Sequence, residues 1–591
     1  MTEQQELTTS GIARWRFALV MAVFAALLLA VLARLVMLHT VDQPFLFEQG
    51  EKRTVRSEVQ PASRGKILDR HGRPLAISTP VITLWLNPQQ INLQQLPLLA
   101  KPLGLKKKTL LKKVERAASQ GRSFIYLKRQ VEPELAQRVL KMGINGVYGD
   151  DDFRRYYPAA EVTAHTLGIV NIDGKGQEGL ELAFDDYLKG TEGSRQVVKD
   201  LYGNVIKQLK VDEVPQPGSD LNLTIDLRLQ YLAYRELKAA VSSHKAKSGS
   251  AVLLDARNGE VLALVNQPSY NPNNRAKLKA EFMRNRALAD LIEPGSTMKP
   301  FTVAAALDSG RYSPSTKVNT APGFMRVKHK TIRDHRDYGE LDVTGIITKS
   351  SNVGVTKLAH NLGADKIWRF FHDAGMGTAS ALGFPGEAVG SLPYPEQMDD
   401  LRLATMSYGY GLSVTPLQLA QAYTSLSQQG CRQAVRLLMQ KNIENSPECQ
   451  RVMKARTAKQ VLSMLETVTS EKGTGRRARV ESYRVGGKTG TAHKVGSEGY
   501  EDSEYTAIFA GVAPISNPEL VLVVVVDEPQ GQEYYGGEVA APVFSRIMEQ
   551  SLRLRQVAPD NSNIKKLLVE KNMKKAAVSG KKLPLHERGA A

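Results

Sequence analysis

Apolar residues are unevenly spread along the chain. Phe17 to Ala33 carries no charge, and after Arg34 the run resumes as Leu35-Val36-Met37-Leu38. Phe17–Leu38 spans 22 residues, and a helix that crosses a bilayer takes about 20. Arg14 and Arg16 lie just before it. The positive-inside rule then puts the arm 1–16 in the cytoplasm and everything after Leu38 outside. Arg34, near the far end, can snorkel to the interface. The run is longer than the apolar core of a signal peptide, so an uncleaved anchor is expected, although Val31 and Ala33 offer a weak cleavage site. No later segment approaches this apolar length.

After the anchor the pattern changes. Residues 39–60 read as a polar juxtamembrane stretch, and a mixed α/β region follows to about 210. Val211–Asp220, rich in Pro, Gly and acid, reads as a linker. Leu229–Val241 has helical spacing. Ser250–Asp255 and Glu260–Val265 flank Arg257-Asn258-Gly259, and an Asn-Gly pair between apolar runs marks a hairpin. Tyr505–Val512 and Leu520–Val526 are further strands, the second too β-branched for a helix. Pro542 introduces a helical pattern over Val543–Leu554. Strands at both ends of a helical middle predict an α+β domain whose sheet joins its termini. The expected division is an arm (1–16), an anchor (17–38), a pedestal (39–220), a larger domain (221–557) and a basic, disordered tail (558–591).

Composition narrows this picture. At 42% hydrophobic and 24% charged, the chain of 591 residues is neither disordered, collagen-like nor polytopic. Its 79 Lys and Arg exceed 60 Asp and Glu by 19, which suggests an anionic partner. Nucleic acid is the first candidate, but the anchor places nearly all of this charge outside the cytoplasm. A lipid surface or an anionic polymer outside the cytoplasm fits better. Lys101–Lys113 holds six lysines, read as a solvated helix face, and Lys565–Ala591 carries a net +6. Two cysteines, Cys431 and Cys449, exclude a disulfide scaffold and a Cys-rich zinc protein. Outside the cytoplasm, a disulfide between the two is open. The ten histidines form no His-Glu-x-x-His, so neither a metal nor another cofactor is expected.

The chemistry gathers in three short motifs. In Glu293-Pro-Gly-Ser296-Thr-Met-Lys299-Pro300 the proline fits only the first turn of a helix, so a helix should start near Ser296. Lys299 then shares a face with Ser296. The positive helix end disfavours a protonated lysine, which makes Lys299 a base for the Ser296 hydroxyl. Ser-x-x-Lys also occurs at Ser63, Ser242, Ser562 and Ser579, so the spacing alone says little. Ser350-Ser351-Asn352 follows, leading into the apolar-periodic Val353–Leu358. Lys488-Thr489-Gly490-Thr491 comes next, before the β-branched strands, and should lie on a strand edge.

Together these motifs resemble those of penicillin-recognising serine enzymes, and the chain is similar to the class B penicillin-binding proteins. Arg64-Gly-Lys-Ile-Leu-Asp69-Arg70, Tyr156-Tyr-Pro158, Ala164-His-Thr-Leu-Gly168 and Gly176-Gln-Glu178-Gly179-Leu-Glu181 resemble pedestal motifs of that family. Arg284-Asn-Arg286, Ser407-Tyr-Gly-Tyr-Gly411 and Tyr534-Tyr-Gly-Gly537 fit too. The likeness covers residues 15–555 but not the tail. It is strongest to division-specific D,D-transpeptidases of Gram-negative bacteria, with elongation-specific enzymes the nearest rival.

The resemblance implies an antiparallel five-stranded sheet flanked by helices, with an all-helical subdomain. It also implies a septal enzyme of the inner membrane that crosslinks peptidoglycan stem peptides and is acylated by β-lactams. Ser296 would be the nucleophile, Lys299 the base, and Ser350 with Lys488 the proton relay. Asn352 would hydrogen-bond Lys299 and substrate, Lys488, Thr489 and Thr491 would hold the terminal carboxylate, and Gly490 would join Thr489 and Thr491 in binding the substrate. Arg64, Asp69, Arg70 and Glu181 read as structural ion pairs or partner contacts. The implied partners are a septal glycosyltransferase of the shape-elongation-division-sporulation type and other division proteins of the membrane.

Other classes fit less well. A class A β-lactamase needs a Glu-x-x-x-Asn that is missing between Asn352 and Lys488. A non-catalytic sensor or scaffold would not need an intact Ser296, Lys299 and Lys488. A bifunctional enzyme would need a glycosyltransferase domain where the pedestal motifs lie.

Overall fold

The computed structural model describes residues 14–200, 205–440, 449–496 and 499–561. Residues 1–13 of the expected arm and 562–591 of the basic tail lie outside the described residues. Helix α1 (Arg14–Thr40) is the one described helix long and apolar enough to cross a membrane, and it buries nothing. It extends past both ends of the expected anchor. Arg34 meets Asp42 at 3.0 Å. The polar stretch 39–60 forms a helix over Gln43–Thr54 and a strand over Val55–Gln60.

The chain divides into two compact units, each built from separated segments. The first comprises residues 1–62, 80–153 and 191–216. In it Val55–Gln60, Gly193–Lys199 and Val205–Glu213 form an antiparallel sheet. Val211–Glu213, expected as linker, therefore ends a strand. Pro215 and Pro217 stop it, because proline has no N–H for the ladder. The helix Lys107–Ser119 buries Leu110, Val114 and Ala117. The lysines of the 101–113 cluster all point to solvent, as the helical spacing of its apolar residues requires.

The second unit comprises residues 63–79, 154–190 and 217–591. Its sheet contains β1 (Ser248–Asp255), β2 (Val261–Gln267), β3 (Gly486–Gly496), β4 (Gly499–Ala513) and β5 (Leu520–Asp527). All neighbours are antiparallel, in the order β2-β1-β5-β4-β3. The expected hairpin is β1–β2, turned by Gly259 at φ +72°. The helices that cover the sheet or carry the site include α2 (Leu227–Ser243), α3 (Lys299–Asp308), α4 (Val343–Lys349), α5 (Asn352–Leu362), α6 (Pro416–Ser427), α7 (Ala455–Val468) and α8 (Ala540–Leu554).

Strand alternation explains how the sheet is covered on both faces. Leu253, Leu522 and Val524 pack with α2 and α8 through Leu237, Phe544 and Ile547. Their neighbours Val252, Val521 and Val523 join the other core, with Phe301 of α3 and Leu417 and Tyr423 of α6. Helix α3 is thus set against the sheet, and its N-terminus is set beside β3.

The segments preceding residue 221 complete this unit through buried charge. Glu181 is fully buried and accepts from Arg64 Nε and Arg155 Nε, each at 2.6 Å. Arg64 also reaches Asp185 at 2.7 Å. Asp69 accepts the backbone N–H of His71 and Arg73, and Arg70 pairs with Glu260 at 3.2 Å. Cys431 and Cys449 form a disulfide.

Candidate active site

Ser296 sits in a 3-10 turn, Gly295–Met298, which runs directly into α3. The expected helix start is therefore present as a tighter turn, and Pro300 occupies the first turn of α3. Backbone contacts fix the turn. Gly295 N–H donates to the Gly409 carbonyl at 3.0 Å. A Cβ on Gly409 would come within 2.0 Å of the Gly295 oxygen, so only glycine fits there. Tyr423 hydroxyl donates to the Thr297 carbonyl at 2.9 Å and Thr302 to that of Ser407 at 2.7 Å.

Lys299 is buried, and its Nζ lies 2.9 Å from Ser350 Oγ and 2.5 Å from the Ser350 carbonyl. Ser350 Oγ is 3.3 Å from Ser296 Oγ. The described hydrogen bonds thus link Ser296 to Lys299 through Ser350 rather than directly. Ser350 caps the end of α4 in the left-handed conformation, φ 59° and ψ 42°. That backbone turn is what carries its hydroxyl over to α3.

Ser351 caps the start of α5. Asn352 lines the same cavity, but its amide donates to the Arg333 carbonyl at 2.9 Å and no described hydrogen bond joins it to Lys299. Lys299 has instead filled its reach with the two oxygens of Ser350. Asp334, which the sequence reading missed, holds this corner: its carboxylate accepts from Ser351 Oγ and Asn352 N at 2.5 Å and from Val353 N at 3.0 Å. It lies on a connecting segment before α4, and nothing in its spacing marks it.

The third motif lies on β3, which is an edge strand as expected. Thr489 and Thr491 line the cavity. Thr489 Oγ1 meets Thr474 Oγ1 at 2.9 Å, and Thr491 Oγ1 accepts Gly536 N–H at 3.0 Å. Lys488 is fully buried, with Nζ on the Thr489 carbonyl at 3.1 Å and Thr489 Oγ1 at 3.3 Å. No described hydrogen bond joins it to Ser350, so the implied relay between them is not formed in this state. Gly490 lets the strand press on the serine turn: a Cβ would stand 2.9 Å from the Pro294 oxygen and 3.0 Å from Thr297 Cγ2.

The electrostatics favour a neutral amine at Lys299. Burial drives Lys299 well below its ordinary value, the nearby Lys488 charge pushes the same way, and Asp334 opposes them. Burial brings Lys488 down to about 7. The cavity measures about 710 Å³, within the range of ligand sites. One wall is aromatic: Tyr505 stacks on Tyr534 with centroids 4.4 Å apart, and Tyr535 follows. A hydroxyl nucleophile, a neutral amine connected to it and two threonine hydroxyls on a strand edge suit acyl transfer from a carboxylate-bearing peptide.

Comparison with known families agrees with this geometry. Residues 249–549 match the penicillin-binding protein transpeptidase domain, and residues 59–223 match the penicillin-binding protein dimerisation domain. The chain is a class B penicillin-binding protein.

This class B penicillin-binding protein is 42% identical over 549 residues to a probable peptidoglycan D,D-transpeptidase, PbpC, of Pseudomonas aeruginosa, which covers 93% of this chain and 96% of the relative. It is also 42% identical over 553 residues to peptidoglycan D,D-transpeptidase FtsI of Escherichia coli, covering 92% and 93%. Among solved structures, the transpeptidase domain of penicillin-binding protein 3 from Burkholderia pseudomallei matches at 43% identity and TM-score 0.53, over 57% of this chain and 98% of that one. A peptidoglycan synthetase from Bifidobacterium adolescentis matches at 25% identity and TM-score 0.68, over 86% and 98%.

Proposed function

We infer that this chain is a serine peptidoglycan D,D-transpeptidase of the division septum. The observation that carries the reading is the connected set Ser296–Ser350–Lys299 beside the Lys488-Thr-Gly-Thr edge of β3. The donor's terminal carboxylate lies against Thr489 and Thr491, with Lys488 behind Thr489 supplying positive charge. Ser296 Oγ attacks the carbonyl of the penultimate D-alanine. Its proton passes through Ser350 to the neutral Lys299 amine. Backbone N–H groups of Ser296 and Thr491 receive the developing oxyanion. The C–N bond breaks, D-alanine leaves as the amine by taking that proton back from Lys299 through Ser350, and Asn352 holds the peptide of the resulting ester. An amine of a second stem peptide then displaces Ser296 and closes the crosslink. A β-lactam follows the same path to an ester that persists.

In this reading residues 17–38 anchor the chain in the inner membrane with its N-terminus in the cytoplasm. Residues 39–220 form the pedestal and 221–557 the periplasmic transpeptidase domain. The identity to FtsI supports septal work, and the partner proposed there is a glycosyltransferase of the shape-elongation-division-sporulation type.

Labelling with a fluorescent penicillin tests the chemistry. The parent chain labels covalently and Ser296→Ala does not; a labelled mutant would remove Ser296 as nucleophile. Depletion in cells tests the septal role, which predicts filaments, whereas round cells would assign the protein to elongation.

A further inference from the structure

A second hollow of about 620 Å³ adjoins the catalytic cavity across β3. Along β3 the side chains alternate between the two: Thr491 faces the catalytic cavity, Ala492 the second hollow, and His493 lines both. Their common wall is the machinery that places the nucleophile. Glu293, three residues before Ser296, lines the hollow and accepts Gly411 N–H at 2.7 Å. The adjoining Tyr410 lines the catalytic cavity and donates to the Thr491 carbonyl at 3.3 Å. A row of the sheet, Ala492–Thr506–Asp527–Ser248, lies along the hollow.

The lining carries both signs of charge. Arg284 and Arg286 pair with Asp290, and Lys494 with Asp527 at 3.2 Å, while Lys247 stands at the rim. Such a surface suits a polar peptide that bears free carboxylates and an amine, and it suits neither an apolar ligand nor a bare anion.

A transpeptidase holds two peptides at once. While the donor is esterified to Ser296 and occupies the cavity beside Thr489 and Thr491, the acceptor needs a second place from which its amine reaches the ester. We propose that the hollow between Arg284 and Asp527 receives the body of the acceptor stem peptide, whose amine passes over His493 to the acyl ester. The amine nitrogen forms the amide bond, the Ser296 Oγ–carbonyl bond breaks, and the amine proton returns to Ser296 Oγ through Lys299 and Ser350. This assignment rests on the D,D-transpeptidase reading.

The test separates the two half-reactions in the full-length chain in detergent. The probes are a fluorescent penicillin for acylation, and a D-Ala-D-Ala thioester analogue with either D-alanine or a stem tetrapeptide bearing a free side-chain amine as acceptor. Arg284 and Lys247 side chains are 53% and 63% exposed, so the double variant Arg284→Glu/Lys247→Glu spares the fold. Ser391→Trp, at an exposed position on the rim, blocks the hollow sterically. Both variants keep the parental acylation rate and transfer to D-alanine, and lose transfer to the tetrapeptide by about tenfold through a raised acceptor KM. Parental transfer to the tetrapeptide in both variants overturns the assignment, as does an equal loss for D-alanine and tetrapeptide. Absence of penicillin labelling in the parent chain would take down the transpeptidase reading itself, and this one with it.

Discussion

The Oγ of Ser350 lies 3.3 Å from the Oγ of Ser296. Because Lys299 Nζ is 2.9 Å from the same Ser350 oxygen, the proposed nucleophile and its proposed base are joined through a third residue. Ser350→Ala therefore lowers penicillin acylation by roughly 100- to 10,000-fold, the usual worth of a proton-transfer group, while melting stays near the parental value. A loss below threefold in a stopped-flow acylation assay would mean that Ser296 passes its proton to Lys299 directly.

The two buried lysines set a pH window. Lys299 acts as a base only when neutral, and its amine is held well below the ordinary lysine value, so acidification protonates it and slows acylation. In the proposed mechanism Lys488 supports carboxylate binding only when charged, and burial brings it down to about 7. The kcat/KM for a carboxylate-bearing donor therefore falls on both sides, with the alkaline limb near pH 7. A profile that keeps rising to about pH 9, toward the ordinary lysine range, would contradict this division of labour.

Asp334 favours the charged form of Lys299 and caps the start of α5. Asp334→Asn keeps the shape and removes the charge, so the Lys299 amine gives up its proton more readily. The acid limb of acylation then moves to lower pH, where a purely structural Asp334 would leave it in place.

Gly490 admits no side chain without displacing the serine turn. Gly490→Ala is expected to cost about 1–3 kcal/mol of stability through overpacking and to slow acylation more than it lowers the melting temperature. Unfolding scans together with penicillin labelling measure both.

Glu181 is the anion between Arg64 and Arg155. Glu181→Ala leaves two buried guanidinium groups without it, at a cost of about 3–5 kcal/mol. Thermal melts of the full-length chain read the loss, and penicillin labelling in the cold is retained. An unchanged melt would mean that water replaces the carboxylate.

The sequence makes some of this architecture readable and hides the rest for definite reasons. Strands β1, β2, β4 and β5 show as apolar runs because both faces of the sheet are buried, and the Asn258-Gly259 turn between β1 and β2 is local chemistry. Ser296, Lys299 and Lys488 stand in motifs whose spacing is fixed by one turn or one strand. The Ser350 bridge is not visible in this way, because it depends on the αL end of α4 reaching α3. Asp334 is recruited from a connecting segment by tertiary contact alone. The strand ending at Glu213 was masked by the prolines that follow it, and the helix Gln43–Thr54 by its polar composition.

The Gly295–Gly409 contact has an evolutionary meaning. At this contact the turn that carries Ser296 is held by main-chain carbonyl and amide groups, which every amino acid shares. A mutation in this contact alters the cradle only by wrecking it, so a β-lactam that grips the same turn as the natural peptide leaves little room for resistance there. Drug-selected changes should accumulate instead where side chains meet the ligand without holding Ser296, along the aromatic wall of Tyr505, Tyr534 and Tyr535.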